Sequence, residues 1–340
     1  MFILKHLYMH NKVIILIFLF LLGCKNTLSE SKGDFNEVII VSSIEDREII
    51  EPILDEYMFD DFLYTPEPEL LYKKTWINPE GFDYYKEFSN IIIISLNDPP
   101  DKTIDSLFYY MDNNVISYPS TVNDLYSKPQ KITLIKSTDK NNLSADLDKT
   151  IDEIKRNINT NIDTLFNKRY LSKNITNNDY IDSIARCISN HTFKFDSNYK
   201  VIKYDQKNNF LWTGKGSIMY DNSASYQWVI IKEIELKEIN GNLELYNFFN
   251  EHIKEIDMHI NLINNYNQFD ITKTDSLILF NQKMLYNHSL YRAGGPISAF
   301  LLQNYSSNKS LLIYGLVNAP GKSKLKLIKE LESIIKNSIF

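Results

Sequence analysis

Residues Ile91–Leu96 read IIIISL, four consecutive isoleucines closed by Asn97-Asp98-Pro99-Pro100. A short apolar run bounded by turn formers has the length of a strand buried on both faces, and is too short for a globular helix. Working outward, Val38–Ser42 (VIIVS) has the same character, Lys131–Lys136 reads as a third strand, and Leu70–Ile77 alternates weakly as another. Helical stretches lie between them. Glu45–Tyr57 is one, although its Pro52 fits only near a helix start. Asn78-Pro79 opens another, with Asn at the N-cap and Pro at the first helical position, and it carries Phe82, Tyr85 and Phe88. Thr103–Met111 is helical. Ser144–Phe166 is the longest helix, with Leu147, Ile151, Ile154, Ile158, Ile162 and Leu165 one helical turn apart on a single face. Strands alternating with helices predict an N-terminal α/β domain over residues 36–172 with a mixed sheet.

The polar break Lys173–Asn178 marks the expected domain boundary, and the second half, residues 178–340, has a different pattern. A helix over Tyr180–Ser189 places Ile181, Ile184, Ala185 and Ile188 on one face, and Cys187 reads as a buried thiol there. Tyr199–Tyr204 and Phe210–Thr213 flank a turn at Asp205–Asn209, and Tyr226–Leu236 is a long strand. A helix is expected over Leu243–Ile263. Leu277–Lys283, Leu285–Arg292, Ile297–Asn304 and Leu311–Asn318 follow as successive strands, the last two joined at Ser306–Lys309 as a hairpin. Lys324–Ile339 closes the chain as an amphipathic helix. This half predicts an antiparallel sheet flanked by helices, which makes the whole chain α+β.

The chain has 340 residues, 44% hydrophobic and 24% charged, with a formal net charge of −6. These values exclude a disordered chain, a collagen and a multi-span membrane protein, and the negative charge argues against a nucleic-acid partner. Two cysteines make no disulfide framework. No G-x-S-x-G elbow, P-loop or CxxC occurs, so no cofactor is implied.

The N-terminus is the most informative segment for location. Val13–Leu22 (VIILIFLFLL) is ten apolar residues long, short of the ~20 that span a bilayer. It has the length of a signal-peptide core, with Lys5 and Lys12 ahead of it and either Met1 or Met9 as the start. It ends in Leu21-Leu22-Gly23-Cys24, which resembles the lipobox of bacterial lipoproteins. Small Gly23 admits a peptidase, and the Cys24 thiol can take a diacylglycerol thioether. With palmitate-type acyl chains worth ~0.8 kcal/mol per buried CH₂, two or three chains anchor a protein stably. The alternative is an ordinary secretory signal with a chance cysteine. Residues 1–23 are therefore read as a lipoprotein signal peptide and 24–35 as a flexible tether. Lys25, where an aspartate would favour inner-membrane retention, points to the outer membrane, periplasmic side.

Several constellations could carry chemistry. His252, Glu255 and His259 fall on one face of the expected helix and are metal-ligand types. The two histidines are two turns apart, about 10.5 Å along the axis, so one ion would reach both only with a bend; the plain reading is a solvated face. Gly294-Gly295-Pro296 is either a turn or sheet corner needing positive φ, or a place where a ligand or backbone approaches closely. Ser106, Thr164, Ser183 and Ser276 each sit in an Asp–hydroxyl–apolar pattern that resembles an O-glycosylation acceptor motif of exported bacterial proteins; chance matches are the alternative. Asn190 and Asn304 begin N-x-S/T sequons. Glu45–Glu69 holds ten carboxylates against Arg47 alone, and 22 Tyr would suit a glycan- or peptide-contacting surface.

Eight stretches together resemble an uncharacterised family of Bacteroidetes-type lipoproteins, a domain of unknown function (DUF 4837). They are Glu37–Ser42 (EVIIVS), Pro66-Glu67-Pro68, Asn90–Ser95 (NIIIIS), Asp124–Gln130 (DLYSKPQ), Asn209–Trp212 (NFLW), Gly294-Gly295-Pro296, Tyr314–Pro320 (YGLVNAP) and Leu327–Ile334 (LIKELESI). The chain departs from the family pattern at Leu290–Ala293, where a Trp and acidic residues are usual. The resemblance implies a lipid-anchored envelope protein and no activity. The expectation is a cell-envelope protein tethered to the membrane through lipidated Cys24, acting as a non-enzymatic binding or structural module for an envelope protein or glycan. The alternative is an envelope hydrolase using His and carboxylate groups.

Overall fold

The computed structural model describes residues 28–63, 65, 67–96, 102–111, 118–171, 176–216, 225–290, 293–304 and 307–339. Residues 1–23, expected as a signal peptide, and Cys24 lie outside the described residues.

The isoleucine runs form the centre of a five-stranded sheet. Its strands are β1 (Glu37–Val41), β2 (Lys73–Ile77), β3 (Asn90–Ser95), β4 (Ser120–Asn123) and β5 (Lys131–Lys136), in the order β2-β1-β3-β5-β4. The first four neighbours run parallel, and the edge strand β4 runs antiparallel to β5. Alternate residues of each run face opposite layers, which is why the runs are apolar throughout. Val38, Ile40, Ile92 and Ile94 meet α1 (Ile44–Leu54) and the long helix α4 (Lys140–Phe166). Ile39, Val41, Ile91 and Ile93 meet Phe82 of α2 (Phe82–Tyr85) and Ile104 and Phe108 of α3 (Lys102–Met111).

Helix ends follow local chemistry. The Ser43 hydroxyl caps α1 by accepting from the Asp46 N–H at 3.1 Å. Asp139 caps α4 by accepting from the N–H groups of Asn141 and Asn142, so this helix starts in a polar turn that hydrophobic periodicity could not register. Pro52 corrects the expectation that it belongs near a helix start, because it sits in the last turns of α1. The chain then widens into a π turn over Asp55–Phe59, in which the Asp60 N–H donates to the Asp55 carbonyl five residues back. The wider turn carries the chain onward past a residue that cannot donate.

The second half contains α5 (Asp179–Ser189) and a seven-stranded antiparallel sheet. The strands are β6 (Lys200–Asp205), β7 (Phe210–Gly216), β8 (Tyr226–Glu235), β9 (Ile260–Lys273), β10 (Leu277–His288), β11 (Ala293–Asn304) and β12 (Lys309–Asn318), in the order β6-β7-β8-β12-β11-β10-β9. Between β8 and β9 lies α6 (Asn242–Ile256), and α7 (Leu325–Ile339) ends the described chain.

Three expectations are corrected here. The helix expected to reach Ile263 ends at Ile256, and Ile260–Lys273 is a strand that pairs along β10 from Ile260↔His288 to Lys273↔Ile278. The two strands expected over 277–292 are one continuous strand, β10. Cys187 is exposed, because the face of α5 made by Ile181, Ile184, Ala185 and Ile188 points elsewhere.

Phe248, Phe249 and Ile253 of α6 cover one face of the larger sheet. The other face, with Leu279, Phe300 and Ile313, packs against α5 and α7. The same apolar cluster continues into α1, α4 and the inner face of the smaller sheet. The two sheets thus share one core through a middle layer of helices, and that layer positions the cleft described next.

Candidate binding cleft

The inner face of β10 begins as a regular apolar row, with Leu277 and Leu279 packed into the shared core. At the next two positions on that face the row turns polar, to Asn281 and Lys283. Opposite them on β9 stand Asp270 against Asn281 and Gln268 against Lys283. Across the gap, α4 presents Asp152, Lys155, Arg156, Asn159 and Asp163, and α7 presents Lys329 and Lys336. The cleft has a volume of about 790 Å³, within the range of small-ligand sites.

The cleft floor is held by a charged cluster. Glu332 of α7 has only 3% of its side chain exposed; Lys283 Nζ lies 3.0 Å from its Oε1. The Ser298 hydroxyl donates to the same carboxylate at 2.7 Å. Burial alone would push this carboxyl up, but Lys283, Lys336 and Lys329 together outweigh it and hold the group at about 2. Burial draws the Lys283 ammonium below the usual lysine value, against the opposing pull of Glu332. Lys329 bonds Asp163 at 2.7 Å, and Lys155 bonds Asp61 at 2.7 Å. Arg156, Lys273 and Lys336 form no ion pair among the described residues. Asn281 is 4% exposed, and its buried Oδ1 accepts no hydrogen bond.

The residues singled out from sequence lie elsewhere. His252 Nδ1 and Lys232 Nζ approach Glu255 Oε2 at 3.1 and 3.2 Å in an open groove beside α6 and β8. Burial works to raise the Glu255 carboxyl, and these two partners lower it by more. His259 is not on that helix, which corrects the shared-face reading; its ring stacks on His288 at 5.8 Å. Among the described residues, no group of three or more His, Cys, Asp and Glu is arranged to hold a metal ion.

His288 is buried, with Nε2 3.2 Å from Asp257 Oδ2. Ser289 Oγ lies 3.3 Å from Nδ1 of His259. Among the described residues the serine and the carboxylate therefore contact different imidazoles.

Gly294, Gly295 and Pro296 lie inside β11 and face Asn287, Tyr286 and Leu285 of β10. Neither glycine has positive φ, which corrects the turn reading. What approaches closely is neighbouring backbone: a Cβ on Gly295 would stand 2.2 Å from the Val317 carbonyl oxygen. Pro296 lines a small apolar pocket that shares Gln268, Lys283 and Lys329 with the cleft.

Ser106, Thr164 and Ser183 are exposed on helices, where their hydroxyls donate to the carbonyls of Thr103, Thr160 and Tyr180. Ser276 is exposed in the turn between β9 and β10. Tyr84, Tyr109 and Tyr110 are exposed on the α2/α3 side of the smaller sheet.

The sequence reading missed the cleft. Its one local signal is Asn281-Gln282-Lys283 inside LILFNQKMLY, a polar interruption within the expected strand Leu277–Lys283.

No family model matches this chain, and no curated protein matches it. Among solved structures, the solution structure of cyanobacterial PsbP from Synechocystis sp. PCC 6803 is similar at 12% identity over 42% of this chain and 92% of that one, with a TM-score of 0.23. A likeness of that size carries no argument.

Proposed function

We propose that this chain is a lipid-anchored cell-envelope protein of the lipoprotein family it resembles. In this reading it is held through Cys24 on the periplasmic side of the outer membrane, and its folded part is a non-enzymatic binding module. The lipobox-like Leu21–Cys24 supports the anchor. The binding reading rests on one observation: an otherwise apolar sheet face turns polar where it borders the cleft, leaving the buried Oδ1 of Asn281 without a hydrogen-bond partner among the described residues. A buried polar side chain without a partner costs about 1–3 kcal/mol, and a ligand that satisfies it explains its presence. The partner class is an envelope protein or glycan.

Two measurements test this. Cys24→Ala should move the protein from the membrane to the soluble fraction, and unchanged membrane retention would overturn the anchor. A photo-crosslinking residue at Thr272, in the cleft, should capture a defined envelope partner in intact cells. The same residue at Tyr109, on the far side of the smaller sheet, should not. Equal capture from both positions would remove the cleft from the reading.

The buried Asp257–His288 pair, with Ser289 beside His259, is the observation that favours the second reading, an envelope hydrolase. Under the binding reading His288→Ala lowers stability by about 2–4 kcal/mol, by leaving a cavity and taking from Asp257 one of its two partners, the His259 N–H remaining, while His259→Ala is nearly neutral. A hydrolytic activity abolished by Ser289→Ala in a fully folded protein would decide for the enzyme. Of the four proposed O-glycosylation acceptors, Ser276 is the best presented, because it lies in a turn between strands rather than within a helix.

A further inference from the structure

The cleft is bordered by an unused sheet edge. β9 is terminal in the larger sheet and, among the described residues, pairs only with β10. A register shift between Ile263 and Gln268 interrupts it, and Gln268–Lys273 then form a regular six-residue ladder with β10. All six of these residues line the cleft. Alternate residues of an edge strand point their N–H and C=O groups away from the sheet, and among the described residues no hydrogen bond from another element reaches the backbone of Gln268–Lys273. Proteins usually pair, cover or shorten such an edge, because it is a template for another strand. β9 has a free segment of about 20 Å at the rise of an antiparallel strand, beside an open volume.

We infer that the occupant of this cleft is an extended peptide that adds to β9 as an eighth strand. The inference rests on the binding reading above and names its ligand class. Main-chain hydrogen bonds to Gln268–Lys273 supply affinity, and alternate side chains supply specificity. On the outer face the peptide's side chains stand beside Phe269 and Ile271, the latter 39% exposed, which favours apolar or β-branched residues. On the cleft face they stand beside Gln268, Asp270 and Thr272; the lining as a whole holds six cations against four carboxylates, with Arg156 and Lys336 free of an ion pair among the described residues, which favours acidic residues at positions away from Asp270. Asn281 offers a carboxamide at the floor. The ligand is therefore a segment of about six residues alternating apolar with acidic, presented by another envelope protein.

The test is panning of a displayed random heptapeptide library on the full mature chain carrying Cys24→Ala, followed by synthesis of the enriched peptides. Enriched sequences should alternate apolar and acidic residues, and amide exchange on binding should slow within Gln268–Lys273. N-methylation of alternate peptide residues, on the side facing β9, should weaken binding about tenfold or more, through the loss of several main-chain hydrogen bonds. Arg156→Glu with Lys336→Glu, checked for native circular dichroism, should invert the preference for acidic residues. The inference is overturned if nothing is enriched above an unrelated control protein, or if N-methylation has no effect. Slowed exchange that appears without peptide and grows with protein concentration would assign the edge to a second copy of this chain, and would also overturn it. If any of these outcomes occurs while Thr272 still captures an envelope partner in cells, the strand-addition inference fails and the binding reading stands.

Discussion

Lys283 Nζ and Glu332 Oε1 meet at 3.0 Å where β10 packs on α7, and the carboxylate is almost completely removed from water while the lysine keeps about a third of its side chain exposed. The pair fixes the position of α7 over the cleft floor. Its charges are unequally compensated: Glu332 is surrounded by Lys283, Lys329 and Lys336, whereas Lys283 has one carboxylate partner.

Acid should therefore release stability over a defined window. Glu332 is held at about 2 against an ordinary value of 4.5. A group whose folded pKa is depressed adds stability that is fully present above its unfolded pKa and lost as pH falls through the folded one. The contribution is of order 3 kcal/mol, present above pH ~4.5 and lost progressively toward pH ~2. Urea melts from pH 6 to 2 should show this slope, and Glu332→Gln should flatten it while lowering stability at pH 7 by about 3 kcal/mol. An unchanged slope in the variant would show that Glu332 does not carry the effect.

Asn281→Leu should behave in the opposite sense. Replacing a buried carboxamide that has no partner with an apolar side chain of similar size removes a desolvation cost, so stability should rise by about 1 kcal/mol. Ligand capture through the cleft should fall at the same time, the usual signature of a residue kept for function at the expense of stability. A loss of stability in thermal melts would show that the amide makes native interactions instead.

Gly295→Ala should be among the most damaging small substitutions. The added methyl would meet the Val317 carbonyl 2.2 Å away, and that carbonyl belongs to a central strand. Overpacking of this kind costs roughly 3 kcal/mol, measurable as a lowered urea midpoint with unchanged slope. The backbone itself is not strained there, so no gain from glycine's flexibility offsets the clash.

Cys187 should react as a free surface thiol. In the Cys24→Ser chain, one thiol should titrate with a disulfide reagent in native buffer as fast as in urea, because Cys187 is exposed on α5. A requirement for denaturant would restore the buried reading.

The contrast between elements that were legible and those that were not follows from where each element gets its stability. The strands β1, β3 and β5 were read within one residue of their ends, because burial on both faces forces a continuous apolar run. The body of α4 was read from its apolar stripe, and only its polar first turn was missed. By contrast, β9 was invisible as a strand. Its sequence INLINNYNQFDITK continues the apolar spacing of α6 for a few residues, and its pairing with β10 is a long-range contact that no local pattern encodes. That one miss displaced His259 from its expected face and concealed the edge that borders the cleft. Cys187 was misjudged for a simpler reason: an apolar residue type was placed on the buried face although its helical angle lies off that face.

The sequence by itself determined the class of the fold and the layout of its elements, because hydrophobic period and turn chemistry are local properties that each segment carries alone. It also carries the lipobox-like motif at Leu21–Cys24, on which the proposed location depends. Only the tertiary structure decided that the two sheets share one core, that Asn281 and Lys283 meet α4 and α7 across an open cleft, and that the far edge of β9 is unpaired. Those facts depend on which distant segments pack together. Packing is a property of the whole buried surface, and the residues that line the cleft come from seven segments, each of which looks ordinary in isolation.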